Sequence, residues 1–264
     1  MKSLVIIGGG HAGLKCYSHM KELFDVVTII DSKNDSLNLK QKYEYLKFNY
    51  REDTCYYIST PNEFHMDWAM SLPENCVALI EKSITVEYQE FNTMQSYLTS
   101  RNIKWTTNLP WRVCEFKKDD MFLDKGIEWE RPKGWHYKKM TVPIGIDIGY
   151  HLLDIYHRIS PHFSTDFNIL INEKDCFLCT VNGVYVSAKY VSNDKEKCSI
   201  FGQQFSPIIP EEWFKKYYTK VLYEKDFSIC PTVADINWIQ VYIYLIYKDF
   251  IRREHDEYSC SSNK

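Results

Sequence analysis

The sequence predicts an α/β protein in which an N-terminal parallel sheet with helices is followed by a small α+β domain. Two observations carry this prediction. Strand-like and helix-like segments alternate over roughly the first 110 residues, which is typical of a parallel sheet. Short strands separated by turn residues then follow between positions 167 and 202, which indicates a small sheet that is mainly antiparallel.

The first element is an apolar strand, residues 3–7, that runs directly into a glycine-rich turn. Gly8, Gly10 and Gly13 fit the pattern G-x-G-x-x-G. In this pattern the first glycine permits a tight turn, and the second lets the backbone approach a pyrophosphate. The third lets the following helix pack closely on the strand. The turn therefore predicts a dinucleotide site of the Rossmann type; the alternative is an ordinary glycine-rich turn between a strand and a helix.

The residues on either side of the first helix extend this prediction. His11 and Ala12 begin the helix, where free N–H groups and the helix dipole favour phosphate. A second apolar run, residues 26–30, ends at Asp31 and Ser32, where the ribose-binding acid belongs. The Asp31 carboxylate would repel a 2′-phosphate, which predicts NAD(H). Ser32 and Lys33 could instead receive that phosphate, so NADP(H) is the alternative.

Two further strands, residues 54–59 and 76–80, each end in polar residues. The carboxyl ends of the strands in an open parallel sheet line its ligand site. The polar residues in question are Thr60, Pro61 and Asn62 after the first of these strands, and Glu81 and Lys82 after the second. We therefore expect these side chains at the same ligand edge as the glycine turn.

The remaining elements complete two domains. Helices are predicted over residues 12–24, 36–50, 63–72 and 87–101, with a fifth strand over 103–106, so that a Rossmann domain spans 1–115. The second domain spans 116–253, with strands over 168–172, 176–180, 184–191 and 198–201. Asn182-Gly183 is a strong hairpin signal. Thr232 is a good N-cap for a C-terminal helix, residues 232–253, that we expect to pack back on the first domain. The polar tail 254–264 is expected to be disordered.

Composition excludes several classes of function. The chain of 264 residues carries a net charge of −3, which offers no broad attraction for nucleic acid. The N-terminal apolar run is too short to span a membrane and lacks a signal-peptide pattern, so we expect a cytoplasmic protein. Cys176 and Cys179 form a C-x-x-C pair, but a strand would send their thiols to opposite faces. No metal site is expected.

Three motifs follow the glycine turn in a particular order. They are Thr60-Pro61-Asn62-Glu63-Phe64-His65, Glu81-Lys82 and, in the second domain, Asp147-Ile148-Gly149-Tyr150-His151. With them the chain resembles the Gfo/Idh/MocA oxidoreductases, in which T-P-N-x-x-H, E-K-P and D-x-x-x-H bracket the nicotinamide and the substrate. Ser83 stands where that family has the proline of E-K-P.

The resemblance implies an NAD(P)-dependent enzyme that transfers hydride to or from a sugar, a polyol or a sugar nucleotide. The family's catalytic lysine matches Lys82, and its proton-transferring histidine matches His151. Asp147 would orient His151 or hold the substrate. The implied cofactor-binding residues are Gly8, Gly10, His11, Ala12, Gly13, Asp31, Ser32, Thr60, Pro61, Asn62, His65, Glu81 and Lys82. The motif order places Lys82, Asp147 and His151 together at the cleft between the domains.

Two other functions stay open on the sequence alone. A relative without catalytic activity could bind the dinucleotide as a sensor or scaffold. A reductase of a C=N bond or a conjugated double bond would not need a hydroxyl proton removed, so Lys82 would be expendable. We also expect a homodimer or a higher oligomer, because the second sheet needs cover on the face that does not meet the substrate side.

Overall fold

The structure, a computed structural model, describes most of the chain in eight segments. They are residues 1–30, 37–49, 53–116, 123–133, 143–160, 166–192, 197–205 and 209–261. The chain divides into two compact units. The first comprises Met1–Cys114 and Pro210–Ile236, and the second comprises Glu115–Ile209 and Asn237–Lys264. The return of residues 210–236 to the first unit differs from the domain boundaries expected from the sequence.

The first unit is built on a sheet of five parallel strands, in the order β2-β1-β3-β4-β5. The strands are β1 (Ser3–Ile7), β2 (Val26–Ile30), β3 (Cys55–Ile58), β4 (Val77–Ile80) and β5 (Lys104–Thr107). Residues of β1, β3 and β4 are buried on both faces, as strands covered by helices on each side require. The predicted Rossmann-type α/β fold is confirmed.

Helices cover both faces of this sheet. In chain order they are α1 (His11–Met20), α2 (Leu39–Asn49), α3 (His65–Ala69) and α4 (Tyr88–Ser100). Because side chains alternate along a strand, Val5 and Ile7 join one apolar core, which also holds α3 and α4 residues. Leu4 and Ile6 join the other, which includes Cys16 of α1. The sheet therefore lies between two layers of helices.

The core on the α1 face is completed by the returning segment. It contains α7 (Glu211–Tyr218) and a π-helical turn, Thr219–Tyr223. Tyr217, Tyr218, Val221 and Leu222 of this segment are buried in that core. Glu211 joins it to α1, since its two carboxylate oxygens each lie 2.9 Å from the side-chain nitrogens of Lys15 and His19.

The second unit contains a six-stranded sheet in the order β11-β10-β6-β9-β8-β7. The strands are β6 (Ile127–Pro132), β7 (Phe167–Asn172), β8 (Cys176–Val181), β9 (Val184–Val191), β10 (Lys197–Ile200) and β11 (Gln203–Phe205). All neighbours are antiparallel except β6 and β9, which run parallel. The hairpin between β8 and β9 is confirmed, because Asn182 and Gly183 both have positive φ, as a type I′ turn requires.

One face of the second sheet is covered by helices of its own unit. Two of them are α5 (Ile144–Asp147) and α6 (Gly149–Ile159). Phe177 and Cys179 of β8 lie on this buried face, whereas Cys176 pairs with Lys189 on the half-exposed face. The two thiols of the C-x-x-C pair therefore point to opposite faces, as predicted. Within the described chain, no group of three or more potential metal-ligating side chains comes together.

The last helix, α8, spans Val233–Ser261. Its predicted N-cap is confirmed, since Thr232 Oγ1 accepts the Asp235 N–H at 3.1 Å and Asp235 Oδ2 accepts the Thr232 N–H at 2.8 Å. From Asn237 onward the helix belongs to the second unit, where Asn172 Nδ2 donates to the Ile246 carbonyl at 2.7 Å. Its backbone is helical past Glu254, where the composition predicts a disordered tail. No described helix has the length and apolar character needed to cross a membrane.

Candidate functional site

The topology of the first sheet creates a crevice at one place. The chain leaves β1 to form β2 on one side and then returns to form β3 on the other. Helices therefore diverge from the carboxyl ends of β1 and β3, and ligands of open α/β sheets bind in the crevice that this divergence leaves. Gly8 follows β1 at this point, and Ser59 follows β3.

Gly8 is required by the geometry of the turn. Its φ is +108°, a conformation that side chains rarely adopt. A Cβ at this position would lie 2.6 Å from the Ser59 carbonyl carbon and 2.8 Å from the Thr60 nitrogen. The Gly8 N–H donates to the Ile30 carbonyl at 2.8 Å. The turn is therefore fixed between β2 on one side and the end of β3 on the other.

Gly13 and Gly10 serve different purposes in the same turn. A Cβ on Gly13 would overlap the Gly8 carbonyl oxygen and lie 2.9 Å from Ser59 Oγ, so α1 approaches β1 as closely as it does only because this residue is glycine. A Cβ on Gly10, in contrast, would meet no described atom within 4 Å. Gly10 is exposed, and the space beside its backbone is open to a ligand.

The start of α1 suits an anion. Gly10 is the N-cap, and it makes no side-chain cap hydrogen bond because it has no side chain. His11 is exposed, Ala12 is half-buried, and the first turn contains no acidic residue. N–H groups at the start of a helix and the positive end of its dipole attract phosphate oxygens, and no carboxylate of this turn opposes that attraction.

The loop after β3 is held in place by His65. This residue, which begins α3, is fully buried. Its Nε2 lies 2.7 Å from the Thr60 carbonyl oxygen, and its Nδ1 lies 3.1 Å from the Ser83 carbonyl oxygen. Burial lowers the pKa of the imidazole. His65 therefore ties the Thr60 loop to the loop that carries Lys82. The predicted contact between His65 and the cofactor stays a prediction. The geometry supports a different role, in which His65 holds the two loops in position.

Pro61 and Asn62 lie at the surface of the loop that His65 anchors. Pro61 is exposed and Asn62 is half-buried, while Thr60 is buried behind them. The Pro61 carbonyl accepts the Phe64 N–H at 3.0 Å, which starts a short 3₁₀ turn over Asn62–Phe64. This loop stands beside the glycine turn, where a dinucleotide would pass.

Glu81 follows β4, and its carboxylate turns inward. Oε1 accepts the Tyr57 hydroxyl and, at 2.6 Å, the Asn108 side-chain amide. Oε2 accepts the backbone N–H of Lys82 at 3.2 Å. Burial raises the pKa of Glu81, although the hydrogen bonds from Tyr57 and Asn108 oppose this shift. The carboxylate is thus occupied by protein donors on both oxygens.

Lys82 lies beyond Glu81 at the carboxyl end of the sheet and is half-exposed. The Lys82–Ser83 peptide bond is cis. Ser83 and Ile84 are both buried, so the chain on the far side of the lysine is fixed in the first unit. Lys82 is therefore held at its backbone while part of the residue is open to solvent.

Asp147 and His151 lie on consecutive helical turns of the second unit. Asp147 ends α5, and its Oδ2 is 3.6 Å from Nη1 of Arg131 on β6. The His151 ring is stacked on Trp129 of the same strand, with centroids 6.4 Å apart. Strand β6 therefore supplies a partner to each of the two predicted catalytic residues.

The sequence analysis does not predict some of the residues that form the site, and two of the residues that it does predict lie outside the described part of the chain. Asp31 and Ser32 are not among the described residues. Tyr57, Asn108 and Arg131, which hold Glu81 and Asp147, are not predicted from the sequence. A signal for Asn108 exists, because it directly follows β5 and thus stands at the same sheet edge as Glu81. Tyr57 and Arg131 give no such signal.

Comparisons with known proteins identify the fold. No family model matches the sequence, and no curated protein matches it. The WlbA (WbpB) dehydrogenase from Thermus thermophilus, solved with NAD and UDP-GlcNAcA, matches over 94% of this chain and 95% of that chain, with a TM-score of 0.68 and 14% identity. UDP-N-acetylglucosamine 3-dehydrogenase GnnA from Acidithiobacillus ferrooxidans matches over 94% and 97%, with a TM-score of 0.69 and 13% identity.

A third solved structure differs in its ligands. It is an oxidoreductase from Agrobacterium radiobacter in complex with NAD+, L-tartaric acid and magnesium, which matches over 92% of this chain and 94% of that chain. Its TM-score is 0.60 and its identity 11%. At these identities the three comparisons establish a shared fold over nearly the whole of each chain.

Proposed function

We propose that this protein is an NAD-dependent oxidoreductase, which transfers hydride between nicotinamide and a hydroxyl or carbonyl group of a sugar, a polyol or a sugar nucleotide. The observation that carries the proposal is that the three glycines at the crevice between β1 and β3 serve different purposes. Gly8 and Gly13 are required by packing, whereas no described atom lies within 4 Å of a Cβ built on Gly10 at the N-terminus of α1. This space lies where a pyrophosphate at the start of the helix would be bound.

The dinucleotide fits the residues that are present. The N–H groups from Gly10 to Gly13 would hold its pyrophosphate, and the loop over Thr60–Asn62 would lie along it. Asp31 would accept the ribose hydroxyls, which favours NAD over NADP. The bound nicotinamide would supply hydride transfer. The proteins of similar fold from Thermus and Agrobacterium were solved with NAD or NAD+, and this supports the same cofactor here.

Proton transfer is assigned to side chains of both units. Oxidation of a hydroxyl group requires removal of its proton as hydride leaves, and a lysine or histidine can accept it. In the proposal Lys82 takes this proton in the first unit, and His151 shares the transfer from the second. Asp147 is held by Arg131 and orients His151 or binds the substrate.

The substrate class rests on the resemblance and on two of the structural neighbours. Those neighbours are a dehydrogenase solved with UDP-GlcNAcA and a UDP-N-acetylglucosamine 3-dehydrogenase. We therefore propose a sugar nucleotide as the first substrate to test. We also propose that the protein is cytoplasmic, as the sequence analysis expects.

Self-association is proposed through the half-exposed face of the second sheet. Leu178, Thr180 and Tyr185 lie on this face, and Tyr185 is 53% exposed. Glu130 bridges Lys189 at 2.7 Å and Lys197 at 3.5 Å on the same face. Because β-sheets need cover for their apolar side chains, a second copy of this face would provide it.

The test has two steps that use the full chain. NADH and NADPH are titrated against the protein by fluorescence, and turnover is then followed by absorbance at the nicotinamide band with a panel of UDP-sugars, free sugars and polyols. We expect tighter binding of NADH and turnover with a member of the panel. Absence of binding by either dinucleotide refutes the proposal, and binding without any turnover favours the sensor.

A further inference from the structure

We propose that Glu81 is a positioning residue that fixes the backbone of Lys82, and that it is not a ligand of the dinucleotide. Tyr57 and Asn108 are the residues that hold it. This inference rests on the proposed function, because it assigns a task to Lys82, but it is tested below by a measurement that needs no substrate. It replaces the cofactor contact that the sequence predicts for Glu81.

The orientation of the carboxylate is the first argument. Both of its oxygens receive hydrogen bonds from the protein: Oε1 from Tyr57 and Asn108, and Oε2 from the Lys82 N–H. A dinucleotide hydroxyl would have to compete with these donors. The Oε2 bond instead connects the carboxylate to the residue whose side chain does the chemistry.

The rigidity of the support is the second argument. Tyr57 lies on β3 and is fully buried, and Asn108 follows β5 and is 4% exposed. The backbone N–H of Glu81 donates to Ile58 of β3 at 2.8 Å, and that of Asn108 donates to Ile80 of β4 at 2.9 Å. Three neighbouring strands thus fix the carboxylate, and sites held by such elements are placed more accurately than sites on free loops.

The returning segment closes this cluster from the α1 face. The Tyr218 hydroxyl at the end of α7 lies 3.4 Å from the Tyr57 hydroxyl and 3.4 Å from Asn108 Nδ2. Its ring also contacts the Tyr57 ring, with centroids 5.5 Å apart. Tyr218 therefore packs against both of the residues that hold the carboxylate.

The charges around Glu81 make the arrangement sensitive to pH. Burial, and then the Glu81 charge, raise the pKa of Tyr57, of Tyr218 and of the Cys16 thiol on α1. Those groups stay neutral, and Asn108 has no charge. Burial raises the pKa of Glu81, and the positive charge of Lys82 opposes this shift because it favours the ionised carboxylate. Ionised Glu81 matches its three donors, and protonation as the pH falls removes the charge from the bond to Lys82.

The experiment follows the Lys82 amide of the full chain by NMR. The protein is labelled with ¹⁵N-lysine, and the Lys82 signal is assigned by its loss in Lys82→Ala. We expect the signal to move as the pH is lowered, with a midpoint above that of an ordinary glutamate. Glu81→Gln should abolish this movement. Tyr57→Phe removes a donor to the ionised form, and the midpoint should therefore move to higher pH.

Tyr217→Phe is the matched control. Tyr217 neighbours Tyr218 and is equally buried, but its hydroxyl donates to the Thr107 carbonyl at 2.7 Å and takes no part in the Glu81 cluster. This variant should keep the wild-type midpoint. A Lys82 signal that titrates unchanged in Glu81→Gln, or a midpoint in Tyr57→Phe equal to that of Tyr217→Phe, would overturn the inference.

Binding and turnover supply the second readout. Glu81→Gln should leave the Kd for NADH within about twofold of wild type and lower kcat on the panel substrate by about 10- to 100-fold, since small displacements of a catalytic group are costly. A loss of NADH affinity as large as the loss in kcat would make Glu81 a cofactor ligand and refute the inference. A wild-type protein that binds no dinucleotide refutes the proposed function instead.

Discussion

Alanine substitutions at Gly10 and Gly13 should separate binding from folding. Both changes add one methyl group to the same turn. At Gly13 the methyl would overlap the Gly8 carbonyl and crowd Ser59 Oγ, whereas at Gly10 it would meet no described atom within 4 Å. Gly10→Ala should therefore give a folded protein that binds dinucleotide weakly, and Gly13→Ala should give an unstable one.

The magnitudes follow from these distances. Gly10 has φ −74° and ψ −169°, which alanine also adopts, so the cost to stability is that of a poorer N-cap, about 1 kcal/mol or less. Gly13→Ala must move α1 away from β1 against backbone atoms, for which we expect about 3 kcal/mol, the upper part of the usual range for overpacking. A methyl on Gly10 would occupy the position proposed for the pyrophosphate, and we expect a loss of about 10- to 100-fold in NADH affinity, which corresponds to about 1.4–2.8 kcal/mol.

Two measurements test this prediction. Urea unfolding gives the free energy of unfolding of each variant, and fluorescence titration gives the Kd for NADH. Ser18→Ala, at an exposed position of α1 outside the glycine turn, is the control and should stay close to wild type in both. If Gly10→Ala binds NADH as tightly as wild type, the pyrophosphate does not pass over Gly10, and the reasoning from open space is refuted.

Three other outcomes are expected. Replacing Lys82 or His151 by alanine should lower turnover by about 10²–10⁴-fold at nearly constant NADH affinity, and Asp147→Asn should cost less; near-wild-type kinetics of Lys82→Ala would instead favour a reductase of C=N or conjugated double bonds. Sedimentation at micromolar concentration should give a dimer or larger species, and a monomer alone would contradict the proposed interface. Thr232→Ala should lower the free energy of unfolding by about 1 kcal/mol in urea because α8 loses its N-cap, whereas Thr232→Ser should change it by only a few tenths, and an equal loss in both would remove the cap as the cause.

The glycine turn could be predicted from the sequence because its signal is local. Strand, turn and helix are encoded within residues 3–20, and Gly8 and Gly13 each have a steric reason that operates between near neighbours or at the end of an adjacent strand. The same holds for the Asn182-Gly183 hairpin and the Thr232 cap. In each case a short stretch determines its own backbone conformation.

The features that the sequence analysis does not predict depend on distant partners. Strand β6 is an example, although Ile127 and Trp129 alternate with Glu128 and Glu130 at the period of a half-buried strand. The orientation of the Glu81 carboxylate is another. This orientation depends on Tyr57 and Asn108, which come from different strands. No spacing in the sequence indicates that these two side chains meet Glu81.

The return of residues 210–236 to the first unit has a consequence for biosynthesis. A ribosome releases Met1–Cys114 first, but the apolar surface on the α1 face lacks Tyr217, Tyr218, Val221 and Leu222 until α7 and its π-helical turn emerge. The nascent nucleotide-binding unit must therefore wait, with an uncovered hydrophobic face, while the whole second sheet is translated. Such exposed surface is what chaperones bind, and a truncated gene that ends at residue 114 should yield an aggregating product rather than a smaller working domain.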